Sequence, residues 1–396
     1  MIASLGYLFL VGLAMADICR HIRLPRIVGL LFTGIVLGPY VLDVLDPALL
    51  GLSSQLRQMA LIIILLKAGL ALNVRDLKAV GRPALLLSCL PATFEMLAFV
   101  MFAPAILHVT FLEAALMGSV LGAVSPAVVV PKMVQLMEEG YGVKQRVPQL
   151  ILAGSSLDDV FVIVLFTALV GLCQGQSLSL LTFASIPVSI VCGVVLGLLF
   201  GWGLHWLFTK RQSAQPGLAI LAILGCAFLL VSAEDWLEGR VPMSGLLAVM
   251  SMACALQMKQ PAKSVQGFSR RFGEIWLAAE VLLFSLVGAA VDLRYTLEAG
   301  IAAIGLLFLA LVFRSAGVWL SLLGTRLTYR ERLFCIIAYL PKATVQAAIG
   351  GVPLALGLPC GKLVLSVAVL SILITAPLGA WGMDVTYKRL LTKACS

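Results

Sequence analysis

Charged residues are scarce in this chain. Only 12% of its 396 residues are Asp, Glu, Lys or Arg, whereas 61% are hydrophobic and the mean hydropathy is +1.07. A water-soluble protein of this length needs far more polar surface to cover its core. The composition therefore excludes a soluble globular protein and predicts a chain that crosses a membrane many times.

Histidine is also rare, and cysteine lacks the spacing of a metal or redox site. The three histidines, His21, His108 and His205, lie near the ends of apolar segments and predict no proton relay. The nine cysteines lie mostly within apolar segments, where they behave as small hydrophobic residues. The net charge of +9 comes from basic residues spread over short loops. We therefore expect no nucleic-acid partner and no bound cofactor.

Windows of about 20 residues predict an all-α polytopic membrane protein with about thirteen transmembrane helices, surrounded by membrane lipid. The predicted spans are approximately 2–19, 26–41, 54–72, 83–107, 112–133, 148–172, 180–208, 217–233, 242–258, 271–291, 298–323, 331–352 and 361–385. With the N-terminus outside, most of the 28 Lys and Arg residues fall in inner loops. The positive-inside rule then predicts an external N-terminus and a cytoplasmic C-terminus in the cell (inner) membrane.

The order of the spans predicts an internal symmetry. Six spans return the chain to its starting side, so one linker helix would make the second six an inverted copy of the first. The fifth span of each half is interrupted by prolines, within 122–131 and 340–353. Paired interruptions indicate a transporter binding site, because unwound backbone offers carbonyl groups and helix ends to an ion. The alternative is two kinked helices whose prolines are tolerated by packing.

Two adjacent acids, Asp158 and Asp159, lie inside the apolar segment 150–166. An acid at the centre of a membrane helix costs roughly 2.5–3.5 kcal/mol on insertion scales, and the usual reason for one is an ion or proton pathway. Neighbouring helix positions point roughly 100° apart, so the two carboxylates cannot share one environment. One can contact a fixed cation while the other faces water and binds either a proton or a small hard cation.

Three further charges are predicted at the same depth. A rise of about 1.5 Å per residue places Glu95, Arg314 and Lys342 near the midplane together with the aspartates. They lie on spans four, eleven and twelve. Buried charges of both signs at one depth are expected to pair, because an unpaired buried charge costs far more than a pair.

Other polar side chains within the spans have two interpretations each. Ser155 and Ser156 lie about one turn before Asp159 and offer hydroxyl ligands to an ion, or else they bond to carbonyl groups of their own helix. Lys67 and Glu280 lie on the third spans of the two halves. For Lys67 we favour a side chain that extends to the inner membrane face over a pair with Glu280.

Three stretches of the sequence resemble the cation:proton antiporter superfamily. They are Gly-Ser-Ser-Leu-Asp-Asp-Val (154–160), Gly-Ala-Val-Ser-Pro-Ala-Val-Val-Val-Pro (122–131) and Leu-Pro-Lys-Ala-Thr-Val-Gln-Ala-Ala-Ile-Gly (340–350). The nearest resemblance is to the paired-aspartate sodium/proton exchangers, the group that includes solute carrier family 9 subfamily B. It extends from residues 24–29 to the last span.

The resemblance implies a homodimer in which an ion-carrying core moves like an elevator against a dimerisation domain. The two interrupted helices would cross near the midplane. The implied divisions are 1–107 (first half of the inverted repeat, with three dimerisation spans and one core span), 108–173 (core ion-binding spans five and six), 174–210 (linker helix), 211–292 (dimerisation spans eight to ten) and 293–396 (core spans eleven to thirteen).

The resemblance also implies roles for individual residues. Asp159 matches the principal ion- and proton-binding aspartate, where transported Na⁺ would bind, and Asp158 matches its partner. Arg314 lies where many members carry a lysine and resembles a partner for Glu95, and Lys342 would approach Asp158. An arginine keeps its proton at any working pH, so proton coupling is not expected there, whereas Lys342 remains available. Candidate ion ligands or crossover residues are Ser125, Ser155, Ser156, Thr344 and Gln346.

The predicted activity is secondary active exchange of Na⁺ or Li⁺ for H⁺ by alternating access. The ions would compete for Asp159, and Asp158 would tune the affinity. K⁺/H⁺ exchange and sodium-coupled symport of an organic anion remain as alternatives. An intramembrane aspartyl protease needs two acids that face each other, which helix neighbours do not, so no enzyme is expected. A channel is disfavoured because no filter loop is repeated.

Overall fold

The structure is a computed structural model that describes residues 1–22, 24–71, 81–174, 180–210, 216–237 and 243–393. Across these ranges the regular secondary structure is helical, apart from one isolated β-bridge between Tyr141 and Lys393. The helices are Ile2–His21 (α1), Arg26–Leu37 (α2), Pro47–Gly51 (α3), Ser53–Ala71 (α4), Arg82–Leu107 (α5), Phe111–Leu121 (α6), Pro126–Glu138 (α7), Val147–Cys173 (α8), Leu180–Lys210 (α9), Pro216–Leu237 (α10), Gly245–Lys259 (α11), Ala262–Ala289 (α12), Leu293–Ser321 (α13), Tyr329–Ala338 (α14), Thr344–Ile349 (α15), Val352–Ala355 (α16) and Gly361–Leu390 (α17).

Within the described ranges, nine helical segments are long and apolar enough to cross a membrane. Three shorter apolar segments, Arg26–Leu37, Gly245–Lys259 and Thr344–Ala355, overlap the predicted spans 26–41, 242–258 and 331–352. The predicted all-α membrane architecture is therefore confirmed, while the count of thirteen spans stays a prediction.

The chain forms two compact units. The first unit contains Met1–Ser54, Asp76–Gln174 and Val281–Ser396, and with them Glu95, the aspartate pair, Arg314 and Lys342. The second unit contains Gln55–Arg75 and Gly175–Glu280.

In the second unit, α9 packs closely on α11, since a Cβ at Gly197 would overlap the carbonyl oxygen of Ala248. Lys67 and Glu280 of the same unit interact electrostatically. The choice between a pair with Glu280 and a Lys67 side chain that extends to the inner membrane face stays a prediction.

In the first unit, α2 touches its neighbours backbone to backbone. A Cβ at Gly34 would overlap the carbonyl oxygen of Ser285 on α12, and a Cβ at Gly29 would lie 2.5 Å from the carbonyl oxygen of Met15 on α1. Small residues permit this close approach of membrane helices, where packing rather than the hydrophobic effect drives association.

Gly34→Ala is therefore expected to destabilise the protein, because the α12 backbone must move to admit the methyl group. We expect a loss of roughly 1–3 kcal/mol, the usual range for overpacking, seen as a lower thermal unfolding midpoint of the detergent-solubilised protein. Gly6→Ala is the matched control, since a Cβ at Gly6 on α1 meets no atom within 4 Å. Equal midpoints for the two variants would contradict the close contact between α2 and α12.

Both interrupted segments begin with the same capping arrangement. Before α6, the Thr110 hydroxyl accepts from the N–H of Glu113, whose carboxylate accepts from the N–H of Thr110. Before α14, Thr328 and Glu331 form the same capping box. Residues 122–125 then separate α6 from α7, and residues 339–343 separate α14 from α15. The structure thus places a break in each segment where the prolines predicted one.

The C-terminal part of α17 contacts α7 and the segment that connects α7 with α8. Lys132 on α7 forms an ion pair with Asp384 at 2.5 Å, and the rings of Tyr141 and Tyr387 meet edge to face at 5.1 Å. A hydrogen bond from Gln135, together with one from Tyr387, holds the pKa of Glu139 below its ordinary value. These contacts fix the end of α7 that lies farthest from the break.

Candidate ion-binding site

The two breaks bind each other. The N–H of Ser125 donates to the carbonyl oxygen of Pro341 at 2.8 Å. The Gln346 side chain links the same two stretches, because its Nε2 donates to Ala123 O at 2.7 Å and its Oε1 accepts from the N–H of Ala343 at 2.9 Å. Unwound backbone at membrane depth needs such partners, since lipid offers none. The Gln346 side chain therefore holds the two breaks together.

Glu95 on α5 lies between two cations. Nη1 of Arg314, on α13, is 2.7 Å from Oε2 of Glu95. Nζ of Lys342, in the second break, is 2.7 Å from Oε1 of the same carboxylate. All three side chains are fully buried. Burial of so many charges is tolerable only when they are paired and hydrogen-bonded.

The same two cations bind the carbonyl groups where α6 and α14 end. Arg314 donates from Nη1 to Gly122 O at 2.5 Å and from Nε to Tyr339 O at 2.6 Å, and Lys342 Nζ donates to Leu121 O. The last carbonyl groups of a helix have no partner within the helix and carry the negative end of its dipole. Arg314 and Lys342 therefore stabilise both breaks as well as Glu95.

Asp158 on α8 is held by its Oδ2 atom. This oxygen accepts from the N–H of Val124, in the first break, at 2.7 Å and lies 3.6 Å from Nη2 of Arg314. Lys342, which the resemblance implied beside Asp158, instead has its hydrogen bonds to Glu95 and Leu121 and interacts with Asp158 only electrostatically. Asp158 is thus attached to the first break and to α13.

Asp159 differs from every other charge in this cluster. It is 4% exposed, and its Oδ1 has no hydrogen-bond partner among the described residues. No Lys or Arg in the described ranges lies within ion-pair distance of it. The negative charges of Glu95 and Asp158 already balance the positive charges of Arg314 and Lys342. The charge of Asp159, when ionised, is therefore in excess.

Comparison with known proteins identifies the family of the chain. The family model for the transmembrane part of sodium/hydrogen exchangers matches residues 6–383. The chain belongs to this family. Since the family is one of transporters, the prediction that the protein is not an enzyme is confirmed.

Two relatives are similar to most of the chain. Sodium/hydrogen exchanger 9B1 of Homo sapiens is 35% identical over 356 residues, which cover 86% of this chain and 67% of the relative. Sodium/hydrogen exchanger 9B2 of Xenopus tropicalis is 33% identical over 356 residues, which cover 86% of this chain and 65% of the relative. The chain spans about two thirds of the length of these relatives.

The fold of the chain matches that of the sodium proton antiporter MjNhaP1 from Methanocaldococcus jannaschii. The TM-score is 0.84 at 22% identity, and the match covers 98% of each chain. At this level of identity the likeness shows the fold alone.

The candidate hydroxyl ligands that the sequence predicted fall into two groups. Ser125 and Thr344 stand beside the breaks, and their buried hydroxyl oxygens have no hydrogen-bond partner within the described residues. Ser155 donates to Leu152 O at 3.1 Å, the alternative in which it bonds to its own helix. The side chain of Ser156 lies outside the described residues. Ser125 and Thr344 are therefore the two candidate residues whose hydroxyls have no protein partner in the described part of the chain.

Sequence reasoning missed two contributors to the site. Val124 contributes its N–H to Asp158, and any residue except proline could do so at that position. Tyr339, fully buried at the end of α14, contributes its carbonyl oxygen to Arg314. The signal that could have found both is their place inside or next to the proline-containing stretches, where backbone groups are released from the helix.

Proposed function

We propose that this exchanger transports Na⁺ or Li⁺ against H⁺ by alternating access, and that the cation and the proton compete for Asp159. The observation that carries the proposal is the excess charge of Asp159 in an otherwise balanced cluster. A buried carboxylate without a partner is costly, so it requires a proton or a cation. Membership of the sodium/hydrogen exchanger family supports the same assignment.

Competition follows from the charge balance. With a proton on Asp159 the five-residue cluster is neutral, and with Na⁺ on the ionised carboxylate it is neutral again. Both ligands together would leave a net positive charge in the membrane, which is far less favourable. We propose that Asp158 tunes the affinity and that the Ser125 and Thr344 hydroxyls complete the coordination of the cation.

The charge balance of the cluster also predicts how many protons are exchanged for each cation. Arg314 keeps its proton at any working pH, and Glu95 and Asp158 are paired with cations. If Asp159 alone changes its proton, one H⁺ exchanges for one monovalent cation and no net charge moves. Participation of Lys342 would add a second proton and make exchange sensitive to voltage.

We further propose the finer architecture that this mechanism needs. It comprises about thirteen spans in two inverted six-helix repeats, a homodimer, an external N-terminus and a cytoplasmic C-terminus in the inner membrane. The matching capping boxes that open the two interrupted segments support the repeat. The core would consist of the region 108–173, span four and the region 293–396, and would carry the ion past the dimerisation spans within 1–107 and 211–292.

Proteoliposomes with an internal pH-sensitive dye test the proposal. We expect Na⁺ and Li⁺ pulses to drive proton flux, K⁺ to drive little, and the reversal point to follow the cation and pH gradients without a dependence on imposed voltage. A larger response to K⁺ would assign K⁺/H⁺ exchange instead. Uptake of a labelled bile-acid-like anion with Na⁺ would assign symport, and liposomes without flux for any cation would refute exchange.

A further inference from the structure

The carbonyl oxygen and the ring of Tyr339 contact Arg314, whereas its hydroxyl group contacts no polar partner among the described residues. Its carbonyl oxygen accepts from Arg314 Nε at 2.6 Å, and its ring centre lies 5.8 Å from the Arg314 guanidinium carbon. The side chain is fully buried, yet its hydroxyl has no hydrogen-bond partner among the described residues. Leaving a buried hydroxyl without a partner is costly, so such a group calls for an explanation.

The hydroxyl of Tyr339 lies against the helix that carries the aspartates. A Cβ at Gly154 on α8 would overlap this oxygen, so glycine at that position makes room for it. Gly154 precedes Asp158 by four residues, and positions four apart share one face of a helix. The hydroxyl therefore lies about one turn from Asp158, on the same side of α8.

One carboxylate oxygen of Asp158, Oδ1, also lacks a hydrogen-bond partner among the described residues. Its Oδ2 is bound by Val124 and approached by Arg314, whereas its Oδ1 is buried without a hydrogen-bond partner in the described part of the chain. A phenol is a donor, and an ionised carboxylate is the strongest acceptor for it in this cluster. Both aspartates interact electrostatically with Tyr339.

We propose that Tyr339 is a positioning residue for the carboxylate pair, whose hydroxyl donates to Oδ1 of Asp158, directly or through one water, while a cation is bound at Asp159. The bond keeps Asp158 ionised and oriented, so that its negative charge supports the cation next to it. The inference rests on the proposed function, because it assigns Tyr339 a part in cation affinity.

Tyr339→Phe removes the hydroxyl and leaves the ring and the carbonyl oxygen in place. We expect the half-saturating Na⁺ concentration for exchange to rise about tenfold, the effect of losing one hydrogen bond to a charged group, while the maximal rate is largely retained. Tyr329→Phe is the matched control, because Tyr329 is the first residue of α14, the helix that Tyr339 directly follows, and is 69% exposed. An unchanged half-saturating concentration in Tyr339→Phe would overturn the inference.

Thermal unfolding of the detergent-solubilised protein gives a second readout. The Tyr339 hydroxyl has no partner among the described residues, so the midpoint without Na⁺ should not fall in Tyr339→Phe. The rise in midpoint on adding Na⁺, which reports cation binding, should be smaller than in the wild type. A lower midpoint without Na⁺ and an unchanged Na⁺-induced rise would mean that the hydroxyl is purely structural.

Different results would refute the proposed exchange activity and the proposed role of Tyr339. Wild-type protein without any cation-driven proton flux would refute exchange. Wild-type flux accompanied by wild-type Na⁺ dependence in Tyr339→Phe would refute the role of Tyr339 alone.

Discussion

Asp159→Asn is expected to abolish cation-driven proton flux and to leave the protein folded. The amide neither takes up a proton at working pH nor supplies the negative charge that a cation requires. Folding should not suffer, because the charges of Glu95, Asp158, Arg314 and Lys342 still balance one another after the substitution. Removal of an excess buried charge is expected to raise stability, if it changes stability at all.

The measurement is proton flux in proteoliposomes at equal protein content, together with the thermal midpoint and the size-exclusion profile in detergent. Asp17→Asn is the matched control, since the Asp17 side chain near the end of α1 is 62% exposed. We expect the control to exchange like the wild type. Undiminished flux in Asp159→Asn would remove Asp159 from the mechanism, whereas loss of flux together with loss of folding would contradict the charge balance.

The charged part of the site was predictable from the sequence because burial of a charge is costly at any position in a membrane. Glu95, Asp158, Arg314 and Lys342 could be placed at one depth from the helix rise alone, and the structure brings these four together. The breaks were predictable for a similar reason. Proline lacks an N–H and disfavours a regular helix, and the two stretches with paired prolines each contain an interruption. Proline alone does not decide this, because Pro91, Pro104 and Pro377 lie inside continuous helices.

The contacts between elements were not predictable, because they depend on how each helix is rotated about its axis. Lys342 was expected beside Asp158, yet its hydrogen bonds are to Glu95 and Leu121. Periodicity gives the depth of a residue but not which neighbour it faces. Backbone partners such as the N–H of Val124 leave no trace in the sequence, since every residue except proline carries the same group.

Glu95→Gln is expected to produce the largest loss of stability among substitutions in the site. Glu95 is fully buried and contacts Arg314 and Lys342 at 2.7 Å each. Removing one partner from a buried ion pair costs about 3–5 kcal/mol, because the remaining charge is left buried without compensation. In Glu95→Gln, Asp158 would be the one paired carboxylate left for the two cations, Arg314 and Lys342. The thermal midpoint of the detergent-solubilised protein should fall markedly.

Glu274→Gln is the matched control for this prediction. Glu274 pairs with Arg270 on the exposed face of α12, and its side chain is 60% exposed. A pair of this kind on a helix contributes about 0.3–0.5 kcal/mol, so the control should unfold close to the wild type. Equal midpoints for the two variants would show that Glu95 is not the anion that holds the cluster together.

A compensating substitution separates the loss of charge from the loss of shape. Lys342→Met in the Glu95→Gln background removes the cation that Glu95 neutralised and leaves Arg314 opposite Asp158. If charge balance holds the cluster together, the double variant should be more stable than Glu95→Gln, although each change alone is destabilising. Simple addition of the two single effects would contradict this balance. It would also weaken the case that Asp159 carries the excess charge, since both conclusions depend on the same four paired residues.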